Sequence, residues 1–566
     1  MAIEHYPRRK VSRPNTQIKI DSSAVTGSAV ASRKPVMVIG EAFDGKPNTV
    51  YRVKNMYDAK QIFRGGELVD ALEILWNPSN ESPGAGEVLA MRAEDAKSAT
   101  VTAGGITFQT LLYGKHANDI QISFQEEDVA GNSTRVFNIS YAPDNYSETF
   151  YDVGEIATIT KSDEVEHLSL TISGGVLTVE TGTSEAPKVV EFPLGVGEYK
   201  DSNRLINALG TIPGVEITQP LSRSKNIDTK DLDDVSMTAI ADGEVKLTAV
   251  LADFVDMLEY NQYLEVDTTG ITSFANKDVT DFGQTYLTGG NDGVTPTSWA
   301  NKLSPFANEG GYYMVPLTDS EVIHREVSAF VNERYYVGDP MRAIVGSGYD
   351  EPTQKLLRRA ANIRNPRTAL VGYSGTVNMQ DGRILQTKGY MSAAQVAGIA
   401  SGLDVGESVT FKQINTTSLS TIKSPSELDS LNDRGVIMAE LVRDGASKKF
   451  RIVDDVTTFN DPNSPVANQI AVGEASDFLV SELKISLDET FIGSKVVRIS
   501  PSLIKNHIQS FLDQKKRDNE IQDYNPEDVQ VIIHGQEARI SMVVYPIRTL
   551  KGISVDLVYK TQTIEA

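Results

Sequence analysis

Hydrophobic and polar residues alternate along the C-terminal stretch of the chain as they do in half-buried β-strands. The alternation predicts three successive strands, at 529–534, 538–545 and 552–560. The apolar positions of the third strand are Ile553, Val555, Leu557 and Tyr559. The linker before it lacks the Asn-Gly or Asp-Gly of a tight hairpin, so this strand can pair with its own sheet or with the open sheet edge of a neighbouring subunit.

The N-terminal end has a similar pattern. A short alternating segment at 14–21 contains Ile18 and Ile20, and Pro7 and Pro14 exclude a helix around it. We predict that both ends are extended strand arms. The sheet expected to receive such an arm uses the apolar positions of the two preceding strands, which are Val531, Ile533, Ile540, Met542 and Val544. The alternative is a sheet closed within the chain's own subunit.

Between the arms, hydrophobic periodicity predicts an α/β core that is split into an N-terminal and a C-terminal portion. The N-terminal portion contains a strand at 35–40, a helix capped by Asn55, a helix from 67 to 76 and a strand at 87–92. In the C-terminal portion, strands are predicted at 312–316, 341–345 and 368–372. Helices are predicted there at 353–361, 392–401 and 476–491.

Capping signals add three helices to the C-terminal portion. The boxes Thr318-Asp-Ser-Glu321 and Ser424-Pro-Ser-Glu427 each predict a helix start. The last helix begins at Ser500-Pro501, and its predicted buried positions are Ile504, Ile508, Phe511 and Leu512.

A region with a different pattern of predicted elements separates the two portions of the core. Residues 96–200 contain short strand segments divided by Gly, Asn, Asp and Ser turns, as in a β-sandwich or barrel, whereas 201–293 are mixed. The predicted fold class is a multidomain α/β (α+β) core interrupted by β-rich inserted domains, with extended N- and C-terminal strand arms. The predicted divisions are an N-terminal arm, 1–21; the N-terminal portion of the core, 22–95; a β-rich inserted domain, 96–200; a second inserted mixed domain, 201–293; the C-terminal portion of the core, 294–548; and a C-terminal strand arm, 549–566.

Composition narrows the function classes. The 566 residues suggest three or four domains, and the absence of cysteine excludes disulfides, thiolate metal sites and thiol catalysis. The net charge of −22 repels phosphate backbones, so we expect no nucleic-acid partner. No signal peptide is expected at the N-terminus, and the apolar runs are too short to cross a bilayer, so we expect no membrane insertion.

One motif resembles a phosphate-binding loop. A predicted strand leads into Gly40, and Gly45-Lys46 follows at the spacing of G-x-x-x-x-G-K. However, Pro47 stands where a Ser or Thr would hold magnesium, and 49–53 predicts a strand where the phosphate needs a helix N-terminus. The six histidines form no pair with metal-ligand spacing. We therefore predict no catalytic residue, no metal ligand and no cofactor, and we do not expect an enzyme.

A local basic cluster lies on the last predicted helix. Lys505 and Lys516 are eleven residues apart, about three turns, which predicts a shared face opposite the apolar stripe. Lys515 and Arg517 add positive charge at the same end. Either this is a solvated face favoured by the helix dipole, or it contacts an acidic partner.

Several motifs, in this order, resemble the contractile tail sheath proteins of bacteriophages, a family shared with contractile bacteriocins and secretion sheaths. The resemblance covers most of the chain and rests on Pro35–Gly40 with Phe43-Asp-Gly45, 114–119, 287–293, 395–400 with Asp404, Leu431-Asn432 with Gly435, and the ending from Gly535 to Tyr559. The Trp common at the 114–119 turn is missing. The Trp-Gly-Ala-Arg-Thr run that the family often carries before the long core helix is replaced by 452–458.

The resemblance implies a subunit that forms stacked hexameric rings around a tail tube and contracts to drive the tube through the host cell envelope. It implies that terminal arms add strands to neighbouring subunits, that the inserted domains lie outside, and that no nucleotide is hydrolysed. The implied partners are further copies of the chain, the tail tube protein, and baseplate and tail terminator proteins. Assembly in the host cytoplasm and a place in the virion tail follow. Lys505, Lys515, Lys516 and Arg517 become candidates for the tube-facing surface.

Two other functions remain open at this stage. A surface-layer or adhesin-like protein would also be acidic, β-rich and free of cysteine, but it should carry an export signal. A P-loop ATPase would need a hydroxyl in place of Pro47.

Overall fold

The N-terminal portion of the core follows the predicted N-terminal arm. The computed structural model describes residues 3–4, 33–129, 132–220, 222, 225–237, 243–444, 447–459, 461, 464–493, 500–548 and 551. Strand β1 Ile3–Glu4 lies within the predicted N-terminal arm, and the elements of the N-terminal portion of the core are β2 Val36–Gly40, β3 Tyr51–Val53, α1 Met56–Phe63, α2 Glu67–Trp76 and β4 Val88–Arg92. The predicted strand at 35–40, the two helices and the strand at 87–92 are therefore present in this order, and β3 corresponds to the strand predicted at 49–53.

The inserted region follows, and it is rich in strands as the sequence predicted. Its first half contains β5 Ser98–Ala103, β6 Ile106–Tyr113, β7 Ile120–Val129, β8 Asn132–Tyr141, β9 Tyr146–Phe150, β10 Glu155–Lys161, β11 His167–Ser173, β12 Val176–Thr183 and β13 Ala186–Pro193. Its second half contains α3 Ser202–Leu209, β14 Val215–Thr218, β15 Val235–Met237, β16 Glu244–Thr248, α4 Val250–Leu258, β17 Leu264–Val266 and β18 Phe282–Tyr286.

The core then resumes. Its middle section contains α5 Ala300–Leu303, β19 Tyr313–Pro316, α6 Glu321–Tyr336, β20 Arg342–Gly346, α7 Thr353–Ile363, β21 Thr368–Val371, β22 Gly375–Asn378, β23 Ile384–Thr387 and α8 Gly389–Gly402. Next come β24 Gln413–Ile414, β25 Thr416–Leu419, α9 Pro425–Asn432, β26 Val436–Ile437, β27 Ala439–Asp444 and β28 Ser447–Ile452. The last section contains α10 Pro465–Asn468, α11 Ile470–Phe491, α12 Pro501–Arg517, β29 Ile521–Tyr524, β30 Gln530–His534, β31 Glu537–Ser541 and β32 Val544–Pro546.

An eight-stranded sheet organises the core, in the order β1-β3-β4-β2-β19-β20-β21-β26. All neighbouring strands run parallel except β3 and β4. Strands β2, β4, β19, β20 and β21 are buried along their whole length, as expected where helices cover both faces of a parallel sheet. Strand β3, as predicted at 49–53, follows Gly45-Lys46 where a phosphate-binding loop would need a helix.

Helix α8 is buried along almost its whole length and contains many Gly, Ala and Ser residues. Gly398 lies against the end of α2, where an added Cβ would be 2.3 Å from the backbone oxygen of Leu75. No side chain fits at that distance, so glycine allows the two helices to pack directly. The predicted start of this helix, at 392, is three residues late.

Helix starts follow the predicted caps at three of four positions, one of which is Ser500, whose hydroxyl accepts a hydrogen bond from the backbone N–H of Leu503. Asn55 accepts a hydrogen bond from the backbone N–H of Asp58, and Ser424 forms the capping box with Glu427. The box predicted at 318–321 is wrong. The N-cap is Ser320, while the hydroxyl of Thr318 accepts from the N–H of Ser320 and forms a turn before the helix.

The inserted region joins the core at two of the motifs that carry the family resemblance. The N–H of Gly290 donates to the side-chain oxygen of Asn118 at 2.8 Å, and the Asn118 amide donates to the Gly290 carbonyl at 2.9 Å. The buried guanidinium of Arg92 donates to the carbonyls of Tyr113, at 2.7 Å, and Asp292, at 3.1 Å. Both ends of the insertion are therefore tied to the end of β4.

Two hydrophobic cores lie within the inserted region. One core draws on both ends of the insertion, for example Phe108 and Phe254, and the other lies between them in sequence. Phe192 and Leu205 both contribute to the second core. Residues on both sides of the predicted division at 200/201 therefore pack together, and the domain limits stay predictions.

Candidate subunit interface

The chain enters the core through two cations that follow the N-terminal arm. The buried ammonium of Lys34 is 3.0 Å from the carboxylate of Glu474 on α11. The guanidinium of Arg33 is 2.9 Å from Glu520, also pairs with Glu482, and lies 5.2 Å above the ring of Phe478. The root of the N-terminal segment is thus fixed to α11 and to the residues after α12.

The described residues of the N-terminal arm add an edge strand to the core sheet. Ile3 pairs in parallel with Tyr51, and Glu4 pairs with Arg52. The predicted arm positions Ile18 and Ile20 lie outside the described residues, so the predicted strand at 14–21 stays a prediction.

The root of the C-terminal segment is fixed in a similar way. The ammonium of Lys551 is 2.6 Å from Asp454, which follows β28 in the core. The predicted arm positions Ile553, Val555, Leu557 and Tyr559 lie outside the described residues.

Helix α11 holds the N-terminal root because its first turns are inserted into the core. The carboxylate of Asp477 accepts hydrogen bonds from Arg342, Arg367 and Tyr312 at 2.6 to 3.0 Å. Glu474 bonds the hydroxyl of Tyr313 in addition to Lys34. Burial, together with these carboxylates, raises the pKa of both tyrosines well above the usual range, so the hydroxyls stay neutral donors.

The predicted receiving sheet is present as two separate ladders. Strands β30 and β31 form one hairpin, while β32 pairs with β29. The single strand predicted at 538–545 is therefore wrong, because the chain leaves the hairpin at Met542 and crosses to β29. The predicted positions are all half-buried against α11 and α12: Val531, Ile533, Ile540, Met542 and Val544.

Both ladders have only two strands each within the described ranges, so each strand has one edge without a partner. The outward side also carries exposed apolar side chains, including Ile532 at 54% and Tyr545 at 51% exposure. Unpaired edges and exposed apolar groups make this region of the molecule well suited to accept a strand from another chain.

The basic cluster of α12 does not form one face. Lys515 is buried, and it pairs with Glu482 and, at 2.7 Å, with Glu520. Its position follows Ile508 and Leu512 on the buried side of the helix.

The other three cations remain accessible. Lys516 is half exposed and pairs with Asp523 at 2.7 Å, and the exposed Arg517 donates to Gln514 at 2.7 Å. Lys505 is half-buried, so it lies beside the apolar stripe rather than opposite it, and its ammonium has no ion pair with a described residue. The tube-facing assignment stays a prediction for Lys505, Lys516 and Arg517.

Sequence reasoning missed the ionic groups that fix the arm roots. The prediction from sequence did not single out Asp454 and Asp455 among the many acids, but both are buried. Burial, with a further contribution from the charge of Asp454, raises the pKa of Asp455 to about 7. The sequence feature that could have indicated their burial is that the two acids lie in a run, 452–458, whose other residues are apolar or carry a hydroxyl group.

No group of three or more His, Cys, Asp or Glu side chains suited to a metal ion occurs among the described residues. None of the helices in those ranges is long and apolar enough to span a membrane.

Comparison with known proteins finds relatives that match the whole chain. No family model matches. A protein of Enterococcus phage phiEF24C named as a tail sheath protein is 47% identical over 576 residues, and the tail sheath protein of Staphylococcus phage Twort is 43% identical over 590 residues; each match covers 100% of both chains. The crystal structure of a sheath tail protein from Listeria innocua shares the fold, with a TM-score of 0.51 and 13% identity over 93% of this chain and 98% of that one.

Proposed function

The chain belongs to the family of phage tail sheath proteins, and from that premise we propose that it polymerises as stacked hexameric rings around a tail tube. In this proposal the polymer contracts and drives the tube through the host cell envelope. The subunit is a structural component of the virion tail and is assembled in the host cytoplasm. Its partners are other copies of itself, the tube protein, and baseplate and tail terminator proteins.

The observation that carries this proposal is the combination of unpaired ladder edges and fixed arm roots. Within the described ranges, strands β29 to β32 offer edges beside exposed apolar side chains. Lys34 and Lys551 anchor the segments that lead to the two ends of the chain. A subunit built in this way can accept a strand from one neighbour and supply one to another.

The free energy of one exchanged strand is small. Burying Ile553, Val555, Leu557 and Tyr559 would contribute about 1.5–3 kcal/mol each if they are fully covered. Ordering the segment opposes this by about 1–2 kcal/mol per residue. A single arm therefore gains little, but many arms engaged at once hold a lattice together while individual subunits rotate.

We assign the tube-facing surface to the accessible cations of α12, namely Lys505, Lys516 and Arg517. An acidic surface on another protein would complement these accessible cations, which stand out in a chain with a net charge of −22. An adhesin-like role is not favoured, because the full-length relatives are named tail sheath proteins.

The direct test is electron microscopy of the purified chain, alone and mixed with the tube protein of the same phage. We expect hollow tubular polymers with sixfold end views, and filled tubes when the tube protein is present. A protein that stays monomeric with its tube protein, at every protein and salt concentration tried, contradicts the proposal.

A further inference from the structure

Two adjacent buried carboxylates lie between the root of the C-terminal segment and the start of α11. Asp454 is 7% exposed and Asp455 is 0% exposed. The two side chains face different partners. Asp454 binds Lys551 at 2.6 Å and accepts hydrogen bonds from Thr410 at 2.9 Å and Asn432 at 3.3 Å. This carboxylate therefore attaches the C-terminal segment to the core.

Asp455 instead binds the first turn of α11. Its backbone oxygen accepts from the N–H of Ile470 at 3.1 Å, and its carboxylate accepts from the N–H of Ala471 at 3.3 Å. Its own N–H donates to the carboxylate of Asp454 at 2.9 Å. A change of charge at either acid therefore alters the electrostatic interactions of the other acid, of Lys551, and of the helix that also holds Lys34.

The charges around this pair are few. Among the described residues, the charged groups with the largest effect on Asp455 are Asp454 and Lys551, while the side chains of Thr410, Ser408 and Gln469 that bond it are uncharged. Burial raises the pKa of Asp455 to about 7, and the charge of Asp454 contributes to this rise, whereas the charge of Lys551 opposes it. Burial alone would raise the pKa of Asp454 as well, but the hydrogen bond and charge of Lys551 hold it below its usual range.

We propose that Asp454 and Asp455 form a proton-linked latch for the C-terminal segment, which holds Lys551 more tightly when both acids are ionised and takes up a proton when Lys551 detaches. The proton comes from solvent and binds the carboxylate of Asp455. Because linkage is reciprocal, a pull that removes Lys551 favours protonation, and protonation favours release. The latch acts within one chain and does not depend on assembly.

The absence of cysteine allows a direct test on the full-length protein. A Gly552→Cys variant carries one thiol, next to Lys551, and this thiol can be labelled with a nitroxide. We expect the ratio of mobile to immobile label, measured by electron paramagnetic resonance, to rise severalfold from about pH 8.5 to about pH 5.5, with a midpoint near the pKa of Asp455. A ratio that is constant across this range overturns the proposal.

Variants in the same labelled background locate the effect. Asp455→Asn is expected to remove the midpoint, and Lys551→Gln is expected to give a mobile label at every pH. The control is Asp429→Asn, an exposed acid on α9, which should leave the curve unchanged. If Asp455→Asn does not fold, as judged by circular dichroism, the Lys551→Gln variant alone tests the latch. A midpoint that persists in either folded variant overturns the latch.

Discussion

Arg367 donates two hydrogen bonds to the carboxylate of Asp477, at 3.0 and 2.6 Å, across 110 positions of the sequence. Arg342, at the start of β20, donates to the same carboxylate at 2.9 Å. All three side chains are buried. One acid on α11 therefore pairs with two cations at the end of the core sheet, and it fixes the helix that holds the N-terminal root.

Replacing Asp477 with Ala should destabilise the core strongly. Arg342 and Arg367 would be left buried without their counter-ion, which typically costs about 3–5 kcal/mol. We expect a large decrease of the urea midpoint, measured by circular dichroism. The matched control is Asp381→Asn, which breaks the more exposed pair with Arg383 and should lower the urea midpoint far less. Similar effects of the two variants would contradict the role given to Asp477.

The sequence predicted only a portion of α11, and the reason is physical. Its amphipathic stripe begins near Leu479, and the helix was predicted from 476 onward. The structure starts it at Ile470, because the first turns are buried by the core and contain Gly473, Glu474 and Asp477. Periodicity detects a helix with one apolar face, but it does not detect buried acids whose partners are more than a hundred residues away.

Elements that depend on local chemistry were predicted better. Strands β2, β3, β4, β19, β20 and β21 and the caps at Asn55, Ser424 and Ser500 lie close to where the sequence placed them. Strands β1 and β26 of the core sheet were not predicted. Side-chain roles on α12 were harder to predict. Helical spacing places Lys515 in line with Ile508 and Leu512, but only the structure reveals the acids Glu482 and Glu520 that allow a lysine to be buried there.

Acid should destabilise the core through His324. Its ring nitrogen Nε2 is 2.8 Å from the carbonyl of Thr318, and burial lowers its pKa to about 4. The pKa of His324 in the folded state lies below its value in the unfolded state, so the neutral ring contributes fully to the free energy of unfolding above about pH 6.5. This contribution, about 3 kcal/mol in total, is lost as the pH falls toward 4. His324→Gln, which cannot titrate, should lose less stability than the parent between about pH 7 and about pH 4.5 in urea unfolding.

The control for this prediction is His534→Asn at an exposed position of β30, which should lose as much stability on acidification as the parent. Equal losses in the parent and in His324→Gln would show that His324 is not the group responsible.

Reversing the charge of Lys505 should weaken assembly on the tail tube without affecting the fold. This ammonium has no ion pair among the described residues, so Lys505→Glu breaks none of the described intramolecular pairs, while it would place a negative charge against an acidic tube wall. We expect fewer filled tubes in co-assembly, counted by electron microscopy, and an unchanged thermal midpoint. The control is Lys60→Glu, on an exposed position of α1.

Lys516 needs a different design because it pairs with Asp523. Lys516→Glu alone removes a surface ion pair, whereas Lys516→Glu combined with Asp523→Lys restores the pair with its charges exchanged. If α12 faces the tube through position 516, the single variant should assemble less well on tubes. The double variant should regain the ion pair within the subunit but should still assemble less well. Full assembly of Lys505→Glu and of the Lys516→Glu single variant would favour a solvated helix face instead.

Removing residues 549–566 tests strand exchange most directly. The truncation ends the chain after Arg548, beyond β32, so every described core strand remains. It removes the four predicted arm positions and also Lys551, the root bound to Asp454. If the end strand belongs to a neighbouring subunit, we expect a folded, soluble monomer with unchanged circular dichroism that forms no polymer in sedimentation or electron microscopy.

A matched variant separates the strand from its root. Lys551→Gln in the full-length chain removes the ion pair with Asp454 but keeps Ile553, Val555, Leu557 and Tyr559, so it should still polymerise because these side chains remain available for an open edge. An unfolded truncation would place the third strand in the core of its own subunit. Normal polymers from the truncated chain would show that the strand is dispensable, and subunits would then have to be joined by other surfaces.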